Sequence, residues 1–264
     1  MSGETEIRGV PETMLQTLYA RAAETESGRG LIRDEMAVDI VRKLDYGFSM
    51  AARDKTMSTG VVARTILLDR MTEQFLSEHP ETTVINIACG LDTRCYRLTS
   101  DYRHWYNLDL EETMKIRRRF MSETEKISQI RCSAMDPAWT QQVSGIQGQV
   151  LVIIEGLTMY LSEKEVKQIF SLIETTFEQV TVFTEVMNPW VVGHVREKSI
   201  EGSAARFSWG IRGKKQMEAL IPAFHCIDER SLVEGMQEFI PVYKLLGKIS
   251  FIRNISNKIL VMKK

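Results

Sequence analysis

Cysteine is scarce in this chain, with four among 264 residues, at Cys89, Cys95, Cys132 and Cys226. Their spacing is too wide and irregular for a zinc knuckle or a disulfide framework, so reduced, mostly buried thiols and no metal site are expected. Also missing is any apolar run of membrane-spanning length. The polar stretch from Met1 to Gly9 lacks the charged-then-apolar layout of a secretory signal, and the expectation is a cytoplasmic protein without a membrane partner. Neither charge is in surplus: 34 basic and 35 acidic residues are dispersed along the chain, which argues against a nucleic-acid surface. The densest basic run, Lys115-Ile116-Arg117-Arg118-Arg119, falls in a helical pattern and is read as a solvated helix face.

What is present is an ordinary globular composition, 44% hydrophobic and 26% charged, on a chain long enough to bury one substantial core. A single domain is the simpler reading. Helical spacing marks three segments near the start: Pro11 to Glu26, Asp34 to Leu44 and Val61 to Ser77. From Thr83 the pattern changes to short runs rich in β-branched and aromatic residues. Seven strands are expected: Thr83 to Ala88, Trp105 to Leu110, Ser128 to Cys132, Val150 to Glu155, Val180 to Glu185, Ala223 to Asp228 and Lys258 to Met262. The first five alternate with helical stretches, so the fold expected is α/β and doubly wound, with a Rossmann-like, mostly parallel sheet. A capping box, Ser162 with Glu165, opens the best-marked helix. The organisation expected is an N-terminal helical cap (1–80), a core (81–187), a helical lid or acceptor wall inserted after the fifth strand (188–222) and C-terminal strands (223–264).

In such a sheet ligands bind beyond the C-terminal ends of the strands, so the residues just after each strand carry the functional information. Gly90 follows the first strand and would let a ligand approach the backbone. Asp109, nineteen residues later at the end of the second strand, sits where a carboxylate accepts hydrogen bonds from ribose hydroxyls. The pair favours a nucleoside ligand. Ala88-Cys89-Gly90 lacks the G-x-G-x-x-G that seats a pyrophosphate on a helix N-terminus, which argues against a nicotinamide dinucleotide and its oxidoreductases.

The segment Asn86-Ile87-Ala88-Cys89-Gly90-Leu91-Asp92-Thr93-Arg94-Cys95-Tyr96-Arg97-Leu98 resembles the first motif of the leucine carboxyl methyltransferase family, including its bacterial polyketide-type O-methyltransferase branch. Asn107-Leu108-Asp109-Leu110 is similar to that family's second strand. Ile154-Glu155-Gly156-Leu157-Thr158-Met159-Tyr160-Leu161 is similar to its fourth strand and following turn, and Tyr19-Ala20-Arg21-Ala22-Ala23-Glu24 to its opening motif. The resemblance implies a class I methyltransferase that uses S-adenosylmethionine and releases S-adenosylhomocysteine. It implies Ala88 and Gly90 against the methionine part of the cofactor, Asp109 on the ribose, Met135 and Asp136 by the adenine, Arg21 and Arg64 toward the cofactor carboxylate, and Glu155 closing the site. Ala88 stands where many relatives carry glycine, and Asp34-Glu35 where they carry Asp-Pro.

The expected reaction is O-methylation of a carboxylate or hydroxyl on a small metabolite, polyketide-like or another acid. The alternatives are methylation of a protein C-terminus and a catalytically silent relative that binds a partner. A hydroxyl acceptor needs a base, and the first candidate is His194, ahead of His79, His104 and His225, with Tyr160 a candidate to orient the acceptor. Trp190, Phe207 and Trp209 are candidate walls for an aromatic acceptor.

Overall fold

The computed structural model describes residues 10–194 and 206–264. Four helices precede the first strand: α1 (Val10–Glu26), α2 (Glu35–Lys43), α3 (Ser49–Arg53) and α4 (Lys55–Glu78). The three expected helices are present. α4 starts at Lys55 rather than Val61 because Asp54 caps it, its carboxylate accepting from the Met57 N–H at 2.9 Å. α3 is an addition; five residues hold too few turns to leave a periodic signal. Leu15 and Leu18 of α1 and Val38 and Ile40 of α2 form one apolar cluster with Leu91 and Ile116, which seats the cap on the turn after the first strand.

All seven expected strands form one sheet: β1 (Thr83–Ile87), β2 (His104–Asp109), β3 (Ile127–Arg131), β4 (Val150–Ile154), β5 (Val180–Val186), β6 (His225–Ser231) and β7 (Lys258–Lys263). Their order is β3-β2-β1-β4-β5-β7-β6, with β1 to β5 parallel and β7 antiparallel to both neighbours. β1, β4 and β5 are buried along their whole length, as a sheet covered on both faces requires. The crossovers carry α5 (Arg94–Arg97), α6 (Glu111–Arg117), α7 (Ala138–Gln142) and α8 (Glu163–Thr176). The capping box of α8 is formed: the Glu165 N–H donates to Ser162 Oγ at 3.3 Å, and the Ser162 N–H to Glu165 Oε2 at 2.7 Å.

After β5 come α9 (Pro189–His194) and α10 (Lys214–Leu220), and between β6 and β7 the short helices α11 (Val233–Met236), α12 (Tyr243–Leu246) and α13 (Ser250–Ile255). Residues 195–205 of the expected insertion lie outside the described residues. Among the described residues no helix is long and apolar enough to cross a membrane.

Two expectations need correction. Arg117 is not part of a solvated face: it is wholly buried, and its Nη1 donates to the carbonyls of Gly90 (3.0 Å) and Asp92 (2.7 Å), while Lys115, Arg118 and Arg119 stay exposed. One residue in the basic run thus faces inward and spends its guanidinium on carbonyls that water cannot reach. Only Cys89 and Cys95 are buried; Cys132 and Cys226 are partly exposed.

Candidate active site

The chain winds outward from β1 to β3 and returns to β4 on the other side of β1, so the order reverses between β1 and β4. Ile87 lies opposite Leu108 and Ile154 in the register. The next residue on each strand is therefore Ala88, Asp109 or Glu155, and all three reach the reversal point together. A cavity of about 260 Å³ opens there. Its wall includes Ala88, Gly90, Asp109, Met135, Glu155 and Tyr160, with Arg21 and Arg64 reaching it from the cap. Asp136 is not brought to the wall: its Oδ1 accepts from the Ala138 N–H at 2.9 Å at the start of α7.

The turn after β1 is held open by its own backbone. Gly90 has φ +51°, and a Cβ there would lie 3.1 Å from Met14 Cβ in α1, so any other residue would meet both backbone strain and a tight contact with the cap. Its N–H donates to Asp109 Oδ2 at 2.7 Å, tying the β1 turn to the end of β2. Burial pushes the Asp109 carboxyl above the ordinary aspartate value, and the N–H groups of Gly90 and Leu110 offset part of that. Ala88 has φ +54°, the sole positive value on a non-glycine among the described residues. Its methyl group costs about 1–2 kcal/mol in that region. Ala88→Gly is expected to raise stability by roughly 0.5–1 kcal/mol after the larger chain entropy of glycine is counted, read from urea unfolding midpoints. A lowered midpoint would mean that packing of the methyl outweighs the strain.

Beneath the cavity lies a set of ion pairs that joins cap to sheet. Arg94, 1% exposed, pairs with Asp69 (2.8 Å), Asp92 (2.7 Å) and Glu155 (3.0 Å). Arg97 adds Asp69 (2.7 Å) and Asp92 (3.1 Å). Arg21 donates from Nε to Asp34 (2.9 Å), from Nη1 to the Thr17 carbonyl (3.3 Å) and from Nη2 to the Leu91 carbonyl (2.7 Å). Asp34 also accepts from Thr93 (2.6 Å) and caps α2 through the Ala37 N–H (3.0 Å), which is what this position does without the proline. Burial raises the Asp34 and Glu155 carboxyls, but the facing guanidinium groups more than offset it and hold both below their ordinary values.

Arg64 is held by two edges. Its Nε lies 2.7 Å from Glu155 Oε1, an ion pair whose angle falls short of a hydrogen bond, and its Nη1 donates to Glu185 Oε2 at 2.9 Å. Nη2 makes no hydrogen bond to the described residues, on a side chain that lines the cavity. The wall thus offers an unspent pair of guanidinium N–H donors, carboxylates at Asp109 and Glu155, and apolar surface from Leu110, Ala134 and Met135. That set suits a ligand with a carboxylate, an ammonium group, vicinal hydroxyls and a flat base.

The remaining candidates are spread out. Tyr160 lines the cavity on a 3₁₀ turn (Thr158–Tyr160), and Phe207 tilts against its ring at 5.5 Å between centroids. Ser208 docks this segment by donating from Oγ to the Leu161 carbonyl at 2.8 Å, and Trp209 packs on the central core. His194 is exposed, bonds the Trp190 carbonyl (2.8 Å) and stacks on the Trp190 ring, off the cavity wall. Asp92, Arg94 and Arg97 stand inside the Asn86–Leu98 motif without a role of their own in the sequence, and Asp69 and Glu185 carry no local signal at all.

The solved structures with the same fold include magnesium protoporphyrin IX methyltransferase (ChlM) from Synechocystis PCC 6803 with bound SAH, at a TM-score of 0.53 and 10% identity over 88% of this chain and 95% of that one. The fold is thus the Rossmann-like one that this methyltransferase from Synechocystis has. Residues 14–174 match the leucine carboxyl methyltransferase family, and the chain belongs to that family. Its relatives include tetracenomycin polyketide synthesis O-methyltransferase TcmP of Streptomyces glaucescens, 29% identical over 93% of this chain and 92% of that protein. Another is the S-adenosyl-L-methionine-dependent methyltransferase dpfgK of Gibberella zeae, 30% identical over 83% of this chain and 81% of that protein. The protein is an S-adenosylmethionine-dependent methyltransferase.

Proposed function

We propose that the enzyme methylates an oxygen of a small-molecule metabolite, and a carboxylate in preference to a hydroxyl. Bound S-adenosylmethionine supplies the electrophilic methyl group. Asp109 would hold the ribose hydroxyls, Arg64 the cofactor carboxylate, Glu155 the ammonium end, and Met135 with Ala134 the adenine face. Arg21, which reaches the wall while bonded to Asp34 and to the Thr17 and Leu91 carbonyls, keeps a second N–H on both Nη1 and Nη2 and would serve the same cofactor carboxylate beside Arg64. The cap over the core and the segment after β5 that carries Phe207 would together shut out water and wall the acceptor.

The observation that carries the carboxylate reading is where the histidines sit. His194 faces Trp190, His104 bonds Ser128 at 2.9 Å at the start of β2, and His79 and His225 lie at a helix end and a strand start away from the wall. An acceptor that arrives ionised needs no general base, only alignment and exclusion of water. Tyr160 would orient it. The likeness to TcmP over nearly the whole chain supports a small acceptor on oxygen.

Incubating cell extract with the enzyme and methyl-labelled S-adenosylmethionine tests this. The label is expected in a low-mass product that loses it on mild alkaline hydrolysis, as an ester does. Label that survives hydrolysis would make the acceptor a hydroxyl. Label carried on protein would replace the small-molecule reading with methylation of a protein C-terminus.

A further inference from the structure

We infer that Glu185, a buried carboxylate on β5, is a positioning residue that sets the shape of the cofactor's amino-acid site without touching the ligand. The inference rests on the reading of Arg64 as the group that takes the cofactor carboxylate.

Glu185 is 1% exposed and is not part of the cavity wall. Its Oε2 accepts both the Gly156 N–H and Arg64 Nη1, each at 2.9 Å, and its Oε1 accepts Asn257 Nδ2 at 3.0 Å. The Glu185 carbonyl accepts Thr158 Oγ1 at 2.6 Å. One residue therefore ties β5 to the turn that carries Glu155 and Gly156, to α4 of the cap, and to the residue that precedes β7.

The consequence falls on Arg64. A free arginine side chain samples many rotamers, and a ligand that must order it loses affinity to that cost. Here Glu155 holds the Nε edge and Glu185 the Nη1 edge, which leaves Nη2 as the donor for an incoming carboxylate. Gly156 completes the fit: at φ +64° a Cβ there would stand 3.5 Å from Arg64 Nη1, so the guanidinium passes close over a backbone whose N–H is bound to the same carboxylate oxygen. Glu155 alone does not fix the plane of the group, because it is shared with Arg94. Reach matters more than charge in this arrangement. Aspartate would withdraw the carboxylate by one methylene, whereas glutamine would keep an oxygen on Gly156 and Arg64 and turn its NH₂ toward Asn257, whose amide can reverse to accept.

The test uses the whole protein and two ligands, S-adenosylmethionine and 5′-methylthioadenosine, which is the nucleoside part of the cofactor without its amino-acid end. By calorimetry Glu185→Asp is expected to weaken S-adenosylmethionine at least ~10-fold, as expected for a displaced charged hydrogen bond, and to leave methylthioadenosine within about twofold. Glu185→Gln is expected to stay within about threefold for both ligands, as the conserved hydrogen bonds require. Equal weakening of both ligands by Glu185→Asp would mark a merely structural residue and overturn the inference, as would unchanged binding of both. A loss in Glu185→Gln as large as in Glu185→Asp would make charge rather than reach the operative property and overturn it too. Arg64→Ala separates the two levels. If it fails to discriminate the ligands, the reading of Arg64 falls. If it discriminates while Glu185→Asp does not, only the role of Glu185 falls.

Discussion

Arg94→Met is expected to destabilise the fold by about 3–5 kcal/mol, the loss found when one partner of a buried charge set is removed. The side chain it replaces is 1% exposed and faces Asp69, Asp92 and Glu155 at 2.7–3.0 Å. Methionine is close in volume, so the loss measures uncompensated charge more than a cavity. Asp92 shows what is at stake: burial alone would raise its carboxyl, yet Arg94 and Arg97 hold it far below the ordinary aspartate value. At the size of this chain such a loss corresponds to a fall in Tm of roughly 10 °C, measured by calorimetry beside urea titration. A loss under about 1 kcal/mol would mean that the carboxylates turn out to water and that the network is not closed. Cofactor binding is expected to weaken as well, because Asp92 and Glu155 lie on the cavity wall.

Asp109→Ala is expected to weaken S-adenosylmethionine by roughly two orders of magnitude, the scale of one or two hydrogen bonds to a charged acceptor. The carboxylate stands at the mouth of the strand reversal and binds the Gly90 N–H at 2.7 Å, so the substitution removes the ribose acceptor and loosens the turn beside it. The signature differs from that of Glu185. Asp109 addresses the nucleoside, so methylthioadenosine should lose as much affinity as S-adenosylmethionine. Equal binding by the altered and unaltered proteins would remove Asp109 from the site.

Much of the fold was legible because its signals are local. Runs such as Val150 to Ile154, buried on both faces, and the spacing of Val166, Ile169, Phe170 and Ile173 on α8 record the period of each element directly. The Ser162–Glu165 box marked a helix start that the structure keeps. The boundaries that moved were those with weaker marks: β6, with most of its residues at least partly exposed, runs from His225 to Ser231 rather than from Ala223 to Asp228, and α4 gains its first turns from a cap at Asp54. Arg117 was misplaced because a run of basic residues has no period that tells which one turns inward.

The site divides along the same line. Gly90 and Asp109 were legible because the parallel register forces strand ends to one rim, and a rim is readable once the strands are, whereas Ala88 and Glu155 came from the family resemblance and lie on the same rim. What the sequence by itself determined is thus the alternation that builds the sheet and the turn from Asn86 to Arg94 that opens at its edge. Only the tertiary structure decided how the charges pair. Arg64 meets Glu185 across 121 positions, and Arg94 meets Glu155 across 61. A guanidinium in water has no reason to choose one carboxylate; it pairs when packing of the cap on the sheet excludes the solvent that would otherwise satisfy both.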